Sequence, residues 1–139
     1  MYGPHFRLVS FETIPHGYKI GVLEHLLEAL TAANVAYLLI HPHTPNLYES
    51  GVRYEEEPPG RDEWQDIPDT IARRTGDCED LACWRVAELR VRRGEKRAMH
   101  GVTVSEIPGA DGKPVTTFHI RVVHDNRSIE DPSRILGMK

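Results

Sequence analysis

Gly76-Asp77-Cys78-Glu79-Asp80-Leu81-Ala82-Cys83-Trp84-Arg85-Val86-Ala87-Glu88-Leu89-Arg90 is the stretch whose reading decides the fold. Asp77 is an N-cap residue, Gly76 frees the turn before it, and a helix is expected to begin at Cys78. Cys78, Leu81, Ala82, Arg85, Val86 and Leu89 recur at helical spacing on one face. The cysteine in the first turn therefore shares the side that meets the core. Arg90, Arg92 and Arg93 suit the negative end of the helix dipole, and Gly94 ends the helix.

Upstream, an irregular or strand-like start runs to Pro15, and residues 18–34 carry Val22, Leu23, Leu26, Leu27 and Leu30 at helical spacing. That predicts an amphipathic helix with Glu24 and His25 on its wet side. Residues 35–40 form a compact apolar run that stops at His41-Pro42-His43-Thr44-Pro45, where two prolines fix an extended loop. His41 and His43 are spaced like metal ligands but have no third ligand spaced with them, so they are read as solvated. Residues 55–57, three glutamates, read as a solvated face. Residues 64–74 predict a helix started or interrupted around Pro68, a residue tolerated in a first turn.

Downstream the pattern turns to β. Residues 98–107, 115–123 and 128–131 are predicted strands, with turns at 108–112 and around Asp125-Asn126. In the middle strand Phe118, Ile120 and Val122 alternate with Thr117, His119 and Arg121, so His119 points away from the most apolar face. Helices come first and an antiparallel meander follows, in one domain over residues 1–139.

Composition narrows the function classes. With 17 Lys and Arg against 21 Asp and Glu, the net charge is −4, so nucleic acid is not the expected partner. The longest uninterrupted apolar run is residues 35–40, far short of the ~18 residues of a spanning helix. Residues 1–10 lack the pattern of a secretory signal, and the expectation is a cytosolic protein that does not enter a membrane. Cys78 and Cys83 lie five apart, which in a helix separates their α-carbons by roughly 8 Å, so they should not form a disulfide.

The chemistry gathers on Cys78. At a helix start the backbone N–H groups and the dipole favour the thiolate and commonly lower the thiol pKa by about one to several units. Glu79 and Asp80 oppose this, so an imidazolium partner is needed. By position alone Cys78 reads equally as a nucleophile or as a small buried apolar residue. Cys83, inside the helix, reads as structural. Of eight histidines, His119 is the best partner because a strand holds it rigidly on a polar face; His124 and His100 rank below it. Asp131 can accept the imidazole N–H if it shares His119's side of the sheet. The loop between the two strands decides this. If Val123 pairs with Arg127, Asp131 lies directly opposite His119; if the loop is residues 125–127, Asp131 faces Arg121 and meets His119 diagonally. An unbulged two-residue loop at Asp125-Asn126 would turn Asp131 to the wrong face.

Three pieces in order, Gly76-Asp77-Cys78-Glu79-Asp80-Leu81-Ala82, Phe118-His119-Ile120 and Glu130-Asp131-Pro132-Ser133, resemble the transglutaminase-like cysteine enzymes. The resemblance covers the chain from Trp64 onward, and residues 26–57 look like the leader of small stand-alone members, many of them in phage and prophage. It implies an α+β, papain-like fold: N-terminal helices and a central catalytic helix packed on an antiparallel sheet. Cys78 would be the nucleophile, His119 the general base and acid, and Asp131 the orienting carboxylate. The Cys78 backbone N–H is a natural oxyanion donor, and the resemblance points to Trp64 or Gln65 as the second. The implied reaction is acyl transfer on an amide, a protein glutamine or a peptide, through a thioester resolved by an amine or by water. No metal or organic cofactor is required. The rivals are a cysteine peptidase of the same fold and a non-catalytic virion-associated assembly module.

Overall fold

In the computed structural model, which describes residues 6–7, 14–58 and 63–139, the chain runs β1 (Phe6–Arg7), α1 (His16–Ile40), a 3-10 turn (Leu47–Glu49), β2 (Arg53–Tyr54), β3 (Glu63–Trp64), α2 (Ile67–Arg73), β4 (Thr75–Gly76), α3 (Cys78–Arg92), β5 (Met99–Pro108), β6 (Pro114–Val123), β7 (Ile129–Glu130) and α4 (Pro132–Ile135). Most of the expected strand-like start lies outside the described residues. Among the described residues the fold is α+β, with an antiparallel β5-β6-β7 sheet, an antiparallel β1-β3 pair and a parallel β2-β4 pair.

The helix α1 is longer than the periodicity of residues 18–34 predicts, because the apolar run 35–40 continues it. Asn34 does not break the helix, since its side chain is used elsewhere: Oδ1 accepts the Ile67 N–H at 2.9 Å. What stops α1 is Pro42, which disfavours helical backbone at His41 before it; His41 sits at φ −118°, ψ 70°. Its ring lies 4.4 Å from that of Tyr37. By length and composition Gly17–Ile40 is also apolar enough to cross a membrane, with a mean hydropathy of 1.3 over its best window, 33% of which is buried in the fold. The uninterrupted-run criterion missed this because glycine, glutamate and histidine punctuate the helix without making it polar on average. His25, as expected, is exposed, its Nδ1 bonded to the Gly21 carbonyl.

The central helix α3 opens where the sequence places it. Asp77 and Asp80 form a capping box, and Gly94, at φ 68°, follows the helix end. The single-face reading of α3, however, is corrected: eleven of its fifteen residues are buried, so it is covered on both sides. Cys78, Ala82, Cys83, Val86 and Leu89 pack with Leu23, Leu27 and Leu30 of α1 and with Ile120 and Val122 of β6. On the other side Leu81, Trp84 and Ala87 meet Leu38, Leu47, Val52, Ile67 and Leu136. A stripe pattern cannot register the second core because Glu88 interrupts it. That carboxylate is buried yet partnered, by the Leu47 N–H and by Arg85 at 3.2 Å.

Of the two readings of residues 64–74, the helix started around Pro68 is the one observed. The helix α2 begins only at Ile67, with Pro68 in its first turn and Asp66 accepting the Asp69 N–H at 3.1 Å; Trp64 belongs to β3. Gly76 is needed for a reason other than turn freedom, since its φ is not positive. A Cβ there would lie 3.1 Å from both Asp80 Cβ and Leu81 Cδ2 and 3.3 Å from Thr70 Cγ2. Gly76→Ala is expected to cost about 1–3 kcal/mol by overpacking. Gly21→Ala, in the interior of α1 with nothing within 4 Å, should instead gain about 0.5–1 kcal/mol. Thermal melts of the two variants, shifted in opposite directions, check both.

The β6-β7 register takes the second of the three options. Val123 pairs with Ile129 and Val122 with Glu130, and the His124 N–H reaches the Ser128 carbonyl at 2.8 Å. The loop is therefore residues 125–127, a turn closed by the Arg127 N–H on the His124 carbonyl and then Arg127 in the left-handed region at φ 74°. Asp131 falls opposite Arg121, diagonal to His119.

Candidate active site

β6 carries His119, the end of β7 carries Asp131, and the start of α3 carries Cys78. His119 Nε2 lies 2.8 Å from Asp131 Oδ2, with both side chains largely shielded from solvent. Asp131 is held in turn as the N-cap of α4, where its Oδ1 accepts the Arg134 N–H at 3.4 Å. With Nε2 committed to the carboxylate, Nδ1 is the ring nitrogen left to exchange a proton.

Cys78 packs in the buried cluster that contains Ile120 and Val122 of β6, and no hydrogen bond joins it to this pair. The Ile120 backbone, next in the chain to His119, is close enough to offset part of the rise in the Cys78 thiol pKa, so the cysteine abuts the strand that bears the imidazole. Its own thiol donates to Glu79 Oε2 at 3.3 Å, and no hydrogen bond joins Cys78 to His119. The expected Cys78–His119 hydrogen bond is not formed in the structure, the thiol being bonded to Glu79 instead. Burial, then the charges of Glu79 and Asp77, push the Cys78 thiol well above its usual range, against the effect expected at a helix start. A thiol that is neutral and shielded takes the nearest carboxylate as its acceptor. Cys83 is fully buried with its thiol on the Leu27 carbonyl at 3.5 Å, in keeping with a structural role; both cysteines are free.

The three oxyanion candidates are all engaged or enclosed. The Cys78 N–H donates to Asp77 Oδ1 at 2.7 Å. Gln65 Nε2 donates to the Thr75 carbonyl at 3.0 Å and to Asp80 Oδ2 at 3.2 Å. Trp64 is packed in the core around α1 and α3. The physical reason is Asp80. Buried at the helix start, it collects the Gln65 N–H at 2.8 Å and the Asp77 N–H at 3.0 Å as well, so the polar groups near Cys78 are spent on the cap. Even so, burial raises the Asp80 carboxyl to about 8, the N–H donors offsetting only part of the desolvation. Glu79 is pushed up by the same cause.

Beside the cap lies a cleft of about 220 Å³ lined by Glu55, Glu56, Glu57, Glu63, Asp77 and Asp80, with Arg73 as its cation. The solvated reading of residues 55–57 holds for Glu55 and Glu56, while Glu57 is drawn inward by the Glu63 N–H at 3.0 Å. The donor atoms of Asp77, Cys78 and Glu79 lie within 4.8 Å of one another, as do those of Glu57, Glu79 and Asp80; among the described residues these are the groups near enough to share a cation, and neither His41 nor His43 is among them.

The other histidines are occupied elsewhere. His100 Nε2 meets Thr31 Oγ1 at 2.6 Å, and burial lowers its pKa to about 4. His124 bridges Glu95 at 2.9 Å and Glu130 at 2.8 Å. Sequence reasoning missed what anchors Asp131. Its neighbour Glu130 is gripped by Arg85 Nε at 2.7 Å, by the Tyr48 hydroxyl and by His124, and the Arg85 guanidinium stacks 5.1 Å from the Tyr48 ring centre. This ties the β7 end to α3. The signal available was Arg85 itself, a cation placed on the buried face of a helix, which demands a buried partner.

Fold and site together describe an α+β protein with a thiol at a helix start packed against a strand that carries a histidine–aspartate pair. No protein-family model matches the chain, and no curated protein or solved structure matches it either.

Proposed function

We propose that the chain is a transglutaminase-like cysteine acyltransferase or hydrolase with a papain-like fold, acting on amides through a thioester at Cys78. The observation that supports it most is the His119–Asp131 pair at 2.8 Å, on the strand whose Ile120 and Val122 share a buried cluster with Cys78. In this reading a bound amide displaces the thiol from Glu79, and His119 Nδ1 takes the thiol proton as sulfur attacks the carbonyl carbon. Asp131 holds the tautomer that leaves Nδ1 basic and stabilises the imidazolium. The imidazolium then protonates the departing amine, ammonia for a glutamine side chain. Water or a primary amine, deprotonated by His119, attacks the thioester and releases the sulfur. The carboxylate-lined cleft next to the cap favours a positively charged acceptor such as a lysine side chain. The cytosol, without metal or organic cofactor, suits this thiol chemistry.

A second reading is a non-catalytic assembly module that retains the fold, favoured by the shielded thiol and its bond to Glu79. Incubation with a glutamine-containing peptide library, with and without a primary amine, separates the readings. Ammonia release with a mass change confined to the side chain is the expected outcome. Backbone cleavage without ammonia indicates a peptidase, and neither product indicates the module.

A further inference from the structure

We propose an anion site at the β6–β7 turn end of the sheet, shaped for a phosphomonoester with an apolar organic part. A cavity of about 300 Å³ lies between the α3–β5 turn and the β6–β7 turn, among Arg90, Lys96, Arg97, Arg127, Met99 and Val123. Arg90 is already matched by Glu28 at 2.6 Å. Lys96, Arg97 and Arg127 have no ion pair among the described residues, and Asp125 is the one carboxylate lining the cavity. On a chain of net charge −4, three unmatched cations converge on one concavity. Lys96 and Arg97 close the cation-rich run 90–97, and only the fold brings Arg127 to them.

The cavity is also held in shape. The Arg97 N–H donates to Asp125 Oδ1 at 2.9 Å, the Asp125 N–H to Glu95 Oε1 at 3.2 Å, and His124 Nδ1 meets the same Glu95 at 2.9 Å, so the two turns are stapled together. These bonds occupy Asp125 Oδ1 and Glu95 but leave the three cationic side chains free. Met99 and Val123 are register partners in the sheet and supply the apolar floor; Met99 is half exposed. Arg127 holds φ 74°, a backbone region where glycine would be unstrained. An arginine kept there at a conformational cost points to use of its side chain. Arginine's planar fork matches phosphate oxygens in pairs, and two of the three free cations are arginines. The site stands independently of the thiol chemistry.

Titration by amide NMR or calorimetry with phenyl phosphate, inorganic phosphate and phenol tests it. Phenyl phosphate is expected to bind at least about tenfold more tightly than either of the others, to weaken with added salt, and to shift the Met99, Val123 and Arg127 amides. Arg127→Gly removes the cation and relieves the backbone, so it should weaken phenyl phosphate binding by about fivefold or more without lowering the melting temperature. Arg97→Gln, which keeps the backbone bond to Asp125, should do the same. The proposal is overturned if phenyl phosphate binds no more tightly than inorganic phosphate, or if both variants bind as the parent does. Retention on heparin without phenyl phosphate binding assigns the cations to a polyanion and overturns it equally.

Discussion

His119→Ala is expected to slow acylation of Cys78 by about 10²–10⁴-fold, the contribution of a positioned general base and acid. The cysteine is neutral at rest, because burial and the Glu79 and Asp77 charges hold its proton on. A nucleophile in that state depends on a base delivered by its neighbour. His119 is partly exposed and makes its side-chain hydrogen bond to Asp131 alone, so removing the ring should leave the core intact and the melting temperature within a few degrees of the parent. Asp131→Asn should reproduce much of the loss for a different reason. It keeps the α4 cap but presents an amide where Nε2 needs a carboxylate, which disturbs the tautomer. Rates with an activated ester, followed across pH for parent and variants, check both.

The largest stability effect is expected at Asp80. Asp80→Ala deletes the acceptor for the Gln65 N–H, the Gln65 side-chain amide and the Asp77 N–H at once, in a position only 1% exposed. At about 1–3 kcal/mol for each buried donor left unpaired, and with partial recovery by water, the loss should be about 3–5 kcal/mol. That is a large part of the total stability of a small domain and should lower the melting temperature by more than about 10 °C.

The same carboxyl sets a pH dependence. Its folded pKa of about 8 stands above the ordinary aspartate value of 3.8, so the native state binds the extra proton; the resulting stability is full below about 4 and is lost as pH rises through 8. Glu79 and Glu88, both raised by burial, act in the same direction. Glu28, lowered by Arg90, and Glu130, whose burial is outweighed by Arg85, Tyr48 and His124, act oppositely and cost stability as pH falls through their folded values. Melting temperature should therefore peak in mildly acid solution and decline toward pH 8, and the decline should shrink in Asp80→Asn.

What the sequence made legible was local. The Asp77 cap, the helix start at Cys78, the stop at Gly94 and the alternation in β6 follow from short-range chemistry, and the hairpin arithmetic left three registers of which the observed one carries Asp131 to His119. The extension of α1 through residues 35–40 was hidden because six consecutive apolar residues carry no helical period of their own. The second core against α3 was hidden because Glu88 looks solvated until it is seen to be paired with Arg85. The same blindness to long-range partners explains the thiol. Its position in the helix predicts a stabilised anion, while its burial and the adjacent carboxyls, which depend on how α3 packs, reverse the sign.

The central claim is that Cys78, His119 and Asp131 act as one acylating unit. Reaction with p-nitrophenyl acetate tests it without knowledge of the natural substrate, by following p-nitrophenolate release and mapping the acetylated peptide. The account predicts rapid release of one equivalent, the acetyl group on Cys78 and not on Cys83, and acylation slowed by about 10²-fold or more in both His119→Ala and Asp131→Asn. Acetylation of Cys83 in the folded protein, or an unchanged rate on Cys78 in both variants, would contradict it.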